Sequence, residues 1–384
     1  MPDRKGRPAS SGRPRDRRID VLRGIALAMI FINHVPGTMF EHYTSRNFGF
    51  SDAAEGFVLI SGTSAALAYS AGLSRRPLWD GVSRVWGRAW TLYLVHLMIM
   101  AWVIGLAAGM ERLAGISSMM DKNNLQQLGT DMTGVLFGIP LMTHQLGYVN
   151  ILPLYSVLLL AGPALIIAAM RWPRMTLGAS VIVWALAGTF RLNLPNFPTK
   201  GGWFFDPLAW QLLFVLGILT GVALKHGHRW VPRRAWIFWP AAGYLVLSLV
   251  WLKWPAMMAA GNAALGKLAT LGVPFWIRDF DKTFVALPRL LHVLSLAYVL
   301  SCLDIVKRLA NSRVLAPVAL LGRQALPVFA LGTILSTVAQ AFKAALPESA
   351  LLDVGLIGAG LALQLALAWA RDMHRKRHRG GYDG

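Results

Sequence analysis

The first long apolar segment of the chain contains an arginine and a histidine, Arg23 and His34, whose spacing places them on one face of a helix. Eleven residues at about 100° each return nearly to the starting direction, and at ~1.5 Å each they span roughly 16 Å. Ionisable groups at the centre of a membrane helix cost about 2.5–3.5 kcal/mol and therefore mark functional sites by default. The spacing predicts a site that holds an anion near Arg23 and does proton chemistry near His34.

The composition is typical of a helical protein that crosses a membrane several times. Of the 384 residues, 55% are hydrophobic and only 15% are charged, whereas a soluble domain has about 25% charged residues. The formal net charge of +20 does not indicate nucleic-acid binding, because Lys and Arg cluster at alternate joints between the apolar segments, as positive-inside sorting requires. The single cysteine, Cys302, excludes an internal disulfide and a multi-cysteine metal site. We expect no metal and no permanently bound cofactor.

The apolar segments predict an all-α integral membrane protein with about ten transmembrane helices and both termini in the cytoplasm. The alternation of basic and cation-poor joints gives this orientation. Residues 19–370 form one multi-span domain, between a disordered basic tail, residues 1–18, and a second basic cytoplasmic tail, residues 371–384. The predicted spans are residues 19–37, 53–73, 84–109, 149–170, 176–192, 206–224, 235–253, 285–303, 315–342 and 350–370.

Two predicted outer loops, residues 110–148 and 254–284, are longer than ordinary connections. The first contains an apolar stretch, residues 134–142, that is too short to span a bilayer and is therefore predicted to be interfacial or re-entrant. The second is rich in Trp and Pro, and it forms either a lid over an outward-facing site or an interfacial anchor. No internal repeat is visible, which disfavours a transporter built from inverted halves.

Polar residues at the inner ends of the spans form a candidate donor-binding group. Planar guanidinium groups bind phosphate in a bidentate manner, and Asp20 is expected to fix Arg23 by a salt bridge. The alternatives are that these arginines extend to lipid headgroups and that Asp20 and Arg23 only lower each other's insertion cost. The candidate donor-binding residues are Asp20, Arg23, Arg84, Arg88 and Arg323.

The outer ends contain the candidate catalytic pair, His34 and Glu55, on helices joined by a short loop. A carboxylate can orient an imidazole that acts as a general base. The alternative is that Glu55 lies in the headgroup layer beside Asp52. Trp210 offers a stacking face for a sugar ring. The residues predicted to line the acceptor side are Asp206, Trp210, Gln211, Arg289 and His292.

Taken together, these residue types predict acyl transfer. A negatively charged donor would place its phosphates on the inner arginines, and a long thin arm would carry its thioester outward along the first helix. His34 would then deprotonate a hydroxyl group that arrives from outside. The alternative from another class is a transporter or flippase of a glycan or lipid-linked sugar, with His34 and Glu55 as a proton relay.

Arg23 and His34, with ten residues between them, resemble the signature of the membrane acyltransferase-3 type proteins, in which the histidine is the proposed base. Residues 57–62 resemble a Phe-Phe-x-x-Ser-Gly segment of that group. More specifically, the chain resembles the OpgC family over nearly its whole length. The segments that show this resemblance are Arg18–Gly24, Ala54–Gly62, Leu152–Tyr155, Asp206–Phe214, Arg289–His292 with Leu296–Tyr298, and Leu321–Phe329.

The OpgC resemblance implies an enzyme of the bacterial inner membrane that modifies a periplasmic glucan or a related glycan. It implies that an acyl group is moved from a cytoplasmic acyl-CoA, with succinyl-CoA as the expected donor, to a hydroxyl group of the glycan. The acyl-CoA is then a co-substrate and not a resident cofactor. The expected partners are acyl-CoA, the glycan and the lipid bilayer, with no nucleic acid.

Overall fold

The computed structural model describes residues 16–380, and the regular elements in this range are helices apart from one isolated bridge, Pro195 to Gly202. The predicted all-α fold is therefore confirmed. The α-helices in chain order are α1 (Arg17–Asn33), α2 (Ala53–Leu73), α3 (Leu78–Ala114), α4 (Gln127–Thr130), α5 (Met132–Gly138), α6 (Ile151–Arg171), α7 (Pro173–Phe190), α8 (Pro207–Lys225), α9 (Ala235–Lys253), α10 (Pro255–Thr270), α11 (Phe275–Arg278), α12 (Leu287–Cys302), α13 (Asp304–Asn311), α14 (Ala316–Arg323), α15 (Ala325–Ala345) and α16 (Ala350–Gly380).

Part of each predicted tail is helical in the structure. Most of the first tail, residues 1–15, lies outside the described residues. Its last residues begin α1, where the side chain of Asp16 caps the helix by accepting a 3.0 Å hydrogen bond from the backbone N–H of Arg18. At the other end, α16 continues to Gly380, ten residues past the predicted end of the last span.

Seven helices of the described chain are long and apolar enough to cross a membrane: α2, α3, α6, α8, α9, α15 and α16. The pair α12 and α13, bent by 75°, makes eight if it is counted as one span. The predicted count of about ten is therefore not confirmed, because α1 and α7 fall outside this set. In α1, Arg17, Arg18, Asp20 and Arg23 place four charges within 17 residues. The helices make this a multi-pass membrane protein.

Small residues let α1 and α2 approach their neighbours closely, as in many membrane helix pairs. A Cβ atom on Gly62 of α2 would overlap the backbone oxygen of Phe214 in α8. A Cβ atom on Gly24 of α1 would overlap the backbone oxygen of Val318 in α14. These contacts fix the two helices that carry the predicted catalytic residues. Among the candidate membrane helices of the described chain, α8 is the most buried, with 67% of its apolar stretch buried.

The long connections contain short helices and turns. Residues 110–148 include α5, whose seven residues cannot span a bilayer, and residues 254–284 include α10 and α11. A further connection, residues 191–206, folds back on itself between α7 and α8. The backbone N–H of Asn196 donates to the carbonyl of Gly201 at 3.0 Å, and that of Trp203 donates to Leu194 at 2.9 Å. This turn closes one side of the candidate site.

Candidate functional site

Two cavities lie one beyond the other along α1, α2, α6 and α15. The larger, which we call the His34 cavity, has a volume of about 900 Å³, and α1 contributes Ile30, Asn33 and His34 to its lining. The smaller, the Arg23 cavity, has a volume of about 170 Å³, and α1 contributes Arg23. Arg23 and His34 therefore belong to one helix but line two separate cavities.

The Arg23 cavity combines two guanidinium groups with several hydroxyl groups. Arg23 donates hydrogen bonds to the hydroxyl of Ser64 and, at 3.5 Å, to the carbonyl of Ile60. Arg88 reaches the same cavity from α3, and the phenols of Tyr69 and Tyr155 complete the polar lining. Guanidinium groups beside hydroxyl donors favour a phosphate or a carboxylate as the occupant.

The other three predicted donor-binding residues do not line this cavity. Arg84 is exposed on α3, one turn before Arg88. Arg323 ends α14 with its guanidinium 4.0 Å from the carboxylate of Asp372. Asp20 is buried where α1 crosses α14, and its predicted salt bridge with Arg23 stays a prediction. The structure therefore brings only Arg23 and Arg88 of this predicted set together.

His34 is held by its backbone, and its ring lies in the cavity. It caps the C-terminus of α1, with its N–H donating to the carbonyl of Ile30 at 3.0 Å and its own carbonyl accepting a 2.7 Å hydrogen bond from the side chain of Gln340. The imidazole packs against the ring of Tyr148, with 4.6 Å between the ring centroids. Burial raises the pKa of the Tyr148 phenol, so that it stays protonated beside the imidazole.

Contrary to the prediction, the hydrogen bonds of Glu55 are to residues other than His34. Its carboxylate is fully buried and accepts hydrogen bonds from the guanidinium of Arg289, at 2.8 Å from Nε, and from the backbone N–H of Asp52, at 3.0 Å. The latter contact belongs to a capping box at the start of α2. These contacts occupy the carboxylate, so Glu55 holds the helix terminus and orients Arg289.

The carboxylate that lines the cavity together with His34 is Asp52. It forms an ion pair with Lys282, which lines the same cavity. Burial alone would raise the pKa of Asp52, but the positive charges of Lys282 and Arg289 hold it well below its ordinary value. Asp52 is therefore ionised at neutral pH.

Asp206 and Gln211 support α8 and do not line either cavity. The side chain of Asp206 caps the helix by accepting hydrogen bonds from the backbone N–H groups of Leu208 at 3.0 Å and Ala209 at 3.1 Å. The amide of Gln211 joins α8 to α7 through the hydroxyl and the carbonyl of Ser180, at 2.6 and 2.8 Å. Neither side chain lines the two cavities, and their role on the acceptor side stays a prediction.

Trp210 cannot provide the predicted stacking face, because it is fully buried. Its indole N–H donates to the carbonyls of Lys282 and Thr283, both at 3.1 Å. Its ring packs edge-on against Phe205 at a centroid distance of 4.6 Å. Trp210 therefore fixes the backbone that carries Lys282 into the cavity.

Arg289 and His292 also lie behind the cavity lining. Arg289 pairs with Glu55 and lies 3.7 Å from Asp52. The Nδ1 atom of His292 is 2.7 Å from the hydroxyl of Ser51, in the residues that lead into α2. Both side chains stabilise the start of α2 and thereby the position of Asp52.

The lining that sequence analysis missed comes mainly from connections between helices. Asn193, Asn196 and Trp203 belong to the turn between α7 and α8. Among the described residues, the side-chain oxygens of both asparagines and the indole N–H of the buried Trp203 have no hydrogen-bond partner. The signal available was the sequence itself: two asparagines and a Trp-Phe-Phe run between two spans. Other lining residues that were not among the predicted site residues are Asn33, Arg46, Asp52, Asn123, Asn124, Tyr148, Asn150, Arg191, Phe204, Phe205 and Lys282.

The fold is that of a multi-pass helical membrane protein. Its two cavities are polar candidate sites that lie along the same helices. The chain belongs to the OpgC family, because the family described as OpgC protein matches residues 15–376. No curated protein and no solved structure matches the chain. The predicted resemblance to the OpgC family is confirmed, and the wider acyltransferase-3-like grouping stays a prediction.

Proposed function

We propose that the protein is an O-acyltransferase of the bacterial inner membrane that moves an acyl group from a cytoplasmic acyl-CoA to a hydroxyl group of a periplasmic glucan or related glycan. Membership of the OpgC family supports glucan modification. The observation that carries the proposal is the placement of Arg23 and His34 in two cavities along one helix. This placement gives donor binding and proton transfer separate sites.

In this proposal the Arg23 cavity binds the charged part of the donor. Arg23 and Arg88 would hold phosphate oxygens, and the hydroxyl groups of the lining would complete their hydrogen bonds. The acyl-CoA is a co-substrate, and its arm would extend along α1 toward His34. Because Arg23 lies in α1 and His34 caps its C-terminus, the helix itself fixes the distance between them.

The proposed reaction uses the imidazole of His34 as a general base. A ring nitrogen accepts the proton of the glycan hydroxyl as its oxygen attacks the thioester carbonyl. The carbon–sulfur bond then breaks, the thiolate of CoA leaves, and the imidazolium returns the proton to it. The products are the O-acyl glycan and CoA, without any oxidant or reductant.

The surrounding charges suit this reaction. Ionised Asp52 would stabilise the imidazolium that forms when His34 takes the proton, as a carboxylate does in other His-based catalytic groups. The ammonium of Lys282 lines the same cavity and would stabilise negative charge on the thioester oxygen. Asp52 thus takes the part that the sequence analysis gave to Glu55.

The charge of the His34 cavity favours an acidic acyl group such as succinyl. Three cationic side chains line it: Arg46, which is paired with Glu41, Lys282, which is paired with Asp52, and Arg191, which has no ion pair in the described part of the chain. Asp206, which would have added a second negative charge, caps α8 instead. A succinyl group carries a carboxylate that these cations would attract, whereas an acetyl group does not.

The neutral part of the lining suits a sugar. Side-chain amides offer donors and acceptors for hydroxyl groups, and six asparagines line the cavity, Asn33, Asn123, Asn124, Asn150, Asn193 and Asn196. Aromatic rings from Tyr148 and Phe204 add apolar faces. We assign this side of the cavity to the glycan.

The test is mass spectrometry of extracytoplasmic glycans from deletion cells that express wild type, His34→Ala or His42→Ala. His42 is exposed, lies in the nearby 3₁₀ turn Met39–Tyr43 and does not line the cavity, so it is a matched histidine control. The proposal predicts a succinyl mass increment with wild type and His42→Ala and none with His34→Ala. Glycans that are unmodified in all strains but differ in amount between compartments would support the transporter instead.

A further inference from the structure

The two cavities have two lining residues in common, Ile151 at the start of α6 and Phe329 on α15. Both side chains are buried. On one side of this pair lie the polar groups of Arg23 and Arg88, and on the other lies His34. The pair is therefore an apolar boundary between two polar cavities.

An apolar boundary of this kind excludes water and ions, because polar groups lose their hydration there without gaining hydrogen bonds. A thioester arm has little such cost over most of its length. A carboxylate at the end of the acyl group does have a desolvation cost at the boundary. Lys282 and the two arginines in the His34 cavity would offset that cost on the far side.

Of the two side chains, Phe329 has the greater rotamer freedom. Ile151 is β-branched and its χ1 rotamer is restricted, whereas an aromatic side chain in a helix populates two χ1 rotamers. Phe329 also lies in the second turn of α15, just after the break at Gln324 that separates α14 from α15. A change of its χ1 rotamer would move the ring without a movement of the helix.

We propose that Phe329 determines which acyl groups pass from the Arg23 cavity to the His34 cavity, by closing the boundary that it forms with Ile151. The inference rests on the proposed function for what passes, and on the shared lining for where it passes. In this role Phe329 selects acyl groups and takes no part in proton transfer.

The boundary can be tested without any transfer reaction. In a Cys302→Ala background, Ala54→Cys places a thiol in the His34 cavity and Ala65→Cys places one in the Arg23 cavity. Both positions are buried alanines on α2, so each is a matched control for the other. A charged, membrane-impermeant methanethiosulfonate reagent is added to sealed vesicles of both orientations, and labelling after denaturation in detergent gives the total thiol.

From the face at which Ala54→Cys reacts, we expect Ala65→Cys to react slowly with Phe329 present. With Phe329→Leu or Phe329→Ala, its labelling rate from that face should rise at least tenfold. The rate at Ala54→Cys should stay unchanged in the same variants, which shows that the fold is intact. Labelling of Ala65→Cys that does not depend on residue 329 would overturn the boundary.

A second readout tests selection. Purified wild type and Phe329→Leu are given equimolar succinyl-CoA and benzoyl-CoA with a glucan acceptor. We expect the ratio of succinyl to benzoyl product to rise at least fivefold in the variant, because a wider boundary lowers the desolvation cost of the succinyl carboxylate. An unchanged ratio would overturn the role in selection. If the thiols respond to residue 329 but wild type transfers no acyl group, the proposed function fails, and with it the selection of acyl groups, while the boundary stands.

Discussion

The Arg23 cavity and the His34 cavity are built by the same four helices but from different kinds of residue. The smaller is lined by helical side chains, with Arg23 and Arg88 as its cations. The larger takes much of its lining from connections, including the turn that carries Asn193 and Trp203. In the first cavity the helices themselves present the polar groups, whereas in the second they serve mainly as a frame for loop residues.

This difference affects how well the polar residues could be grouped from the sequence. Sorting them by the end of the span that they occupy placed Arg23 and Arg88 in one group, although the same sorting added Asp20, Arg84 and Arg323, which do not line the cavity. At the starts of α2 and α8, the buried residues Glu55 and Asp206 cap the helices, and their carboxylates accept hydrogen bonds from backbone N–H groups. A buried carboxylate in sequence does not reveal whether its partner is a substrate or a helix terminus.

The largest expected effect is the loss of kcat when His34, the proposed general base, is replaced. His34→Gln should lower kcat by roughly 10²–10⁴-fold, the contribution typical of a general base, with little change in the KM for acyl-CoA. Steady-state kinetics of the purified protein measures both constants. His42→Gln serves as the control, and a kcat for His34→Gln within threefold of wild type would remove the histidine from the mechanism.

The second prediction tests whether Glu55 acts in catalysis or in support. Glu55→Gln should destabilise the protein by about 3 kcal/mol, the lower end of the cost of breaking a buried ion pair, because Asp52 remains 3.7 Å from Arg289. Thermal unfolding in detergent at a fixed scan rate checks this. A variant with unchanged stability but strongly reduced kcat would restore the direct role beside His34 that the sequence suggested.

The third prediction compares two arginines one turn apart on α3. Arg88→Gln should raise the KM for acyl-CoA by roughly 10–100-fold, since a hydrogen bond to a charged group contributes about 1.5–3 kcal/mol. Arg84→Gln should change it by less than twofold, because Arg84 is exposed and lines neither cavity. Equal effects at the two positions would show that the donor extends beyond the cavity, as the larger predicted set implied.

The smallest expected effects distinguish Trp203, which lines the His34 cavity, from Trp210, which is fully buried and does not line it. Trp203→Phe removes the indole N–H of a residue that lines the cavity and should raise the KM for the glycan about fivefold, for one hydrogen bond of about 1 kcal/mol. Trp210→Phe removes the hydrogen bonds to the Lys282 and Thr283 carbonyls and should lower stability by a similar free energy. If Trp210→Phe instead raised the KM for the glycan without destabilisation, the stacking role would be correct after all.

Much of the fold could be predicted from the sequence, because apolar runs and basic joints follow directly from the bilayer. Each predicted span corresponds to helix, although α1 and α7 are too short or too polar to count as spans by length and composition. The turn between α7 and α8 could not be predicted, since its shape depends on backbone hydrogen bonds between Leu194 and Trp203 that no periodic pattern encodes.

The central claim is that donor binding and proton transfer occur in separate cavities along α1, and equilibrium binding of acyl-CoA to two variants tests it most directly. Arg23→Gln should weaken binding of succinyl-CoA by roughly 10–100-fold, because it removes a charged hydrogen-bond donor. His34→Gln, although inactive in transfer, should bind succinyl-CoA within threefold of wild type. Equal loss of binding in both variants would contradict the claim, because one shared site would then do both tasks.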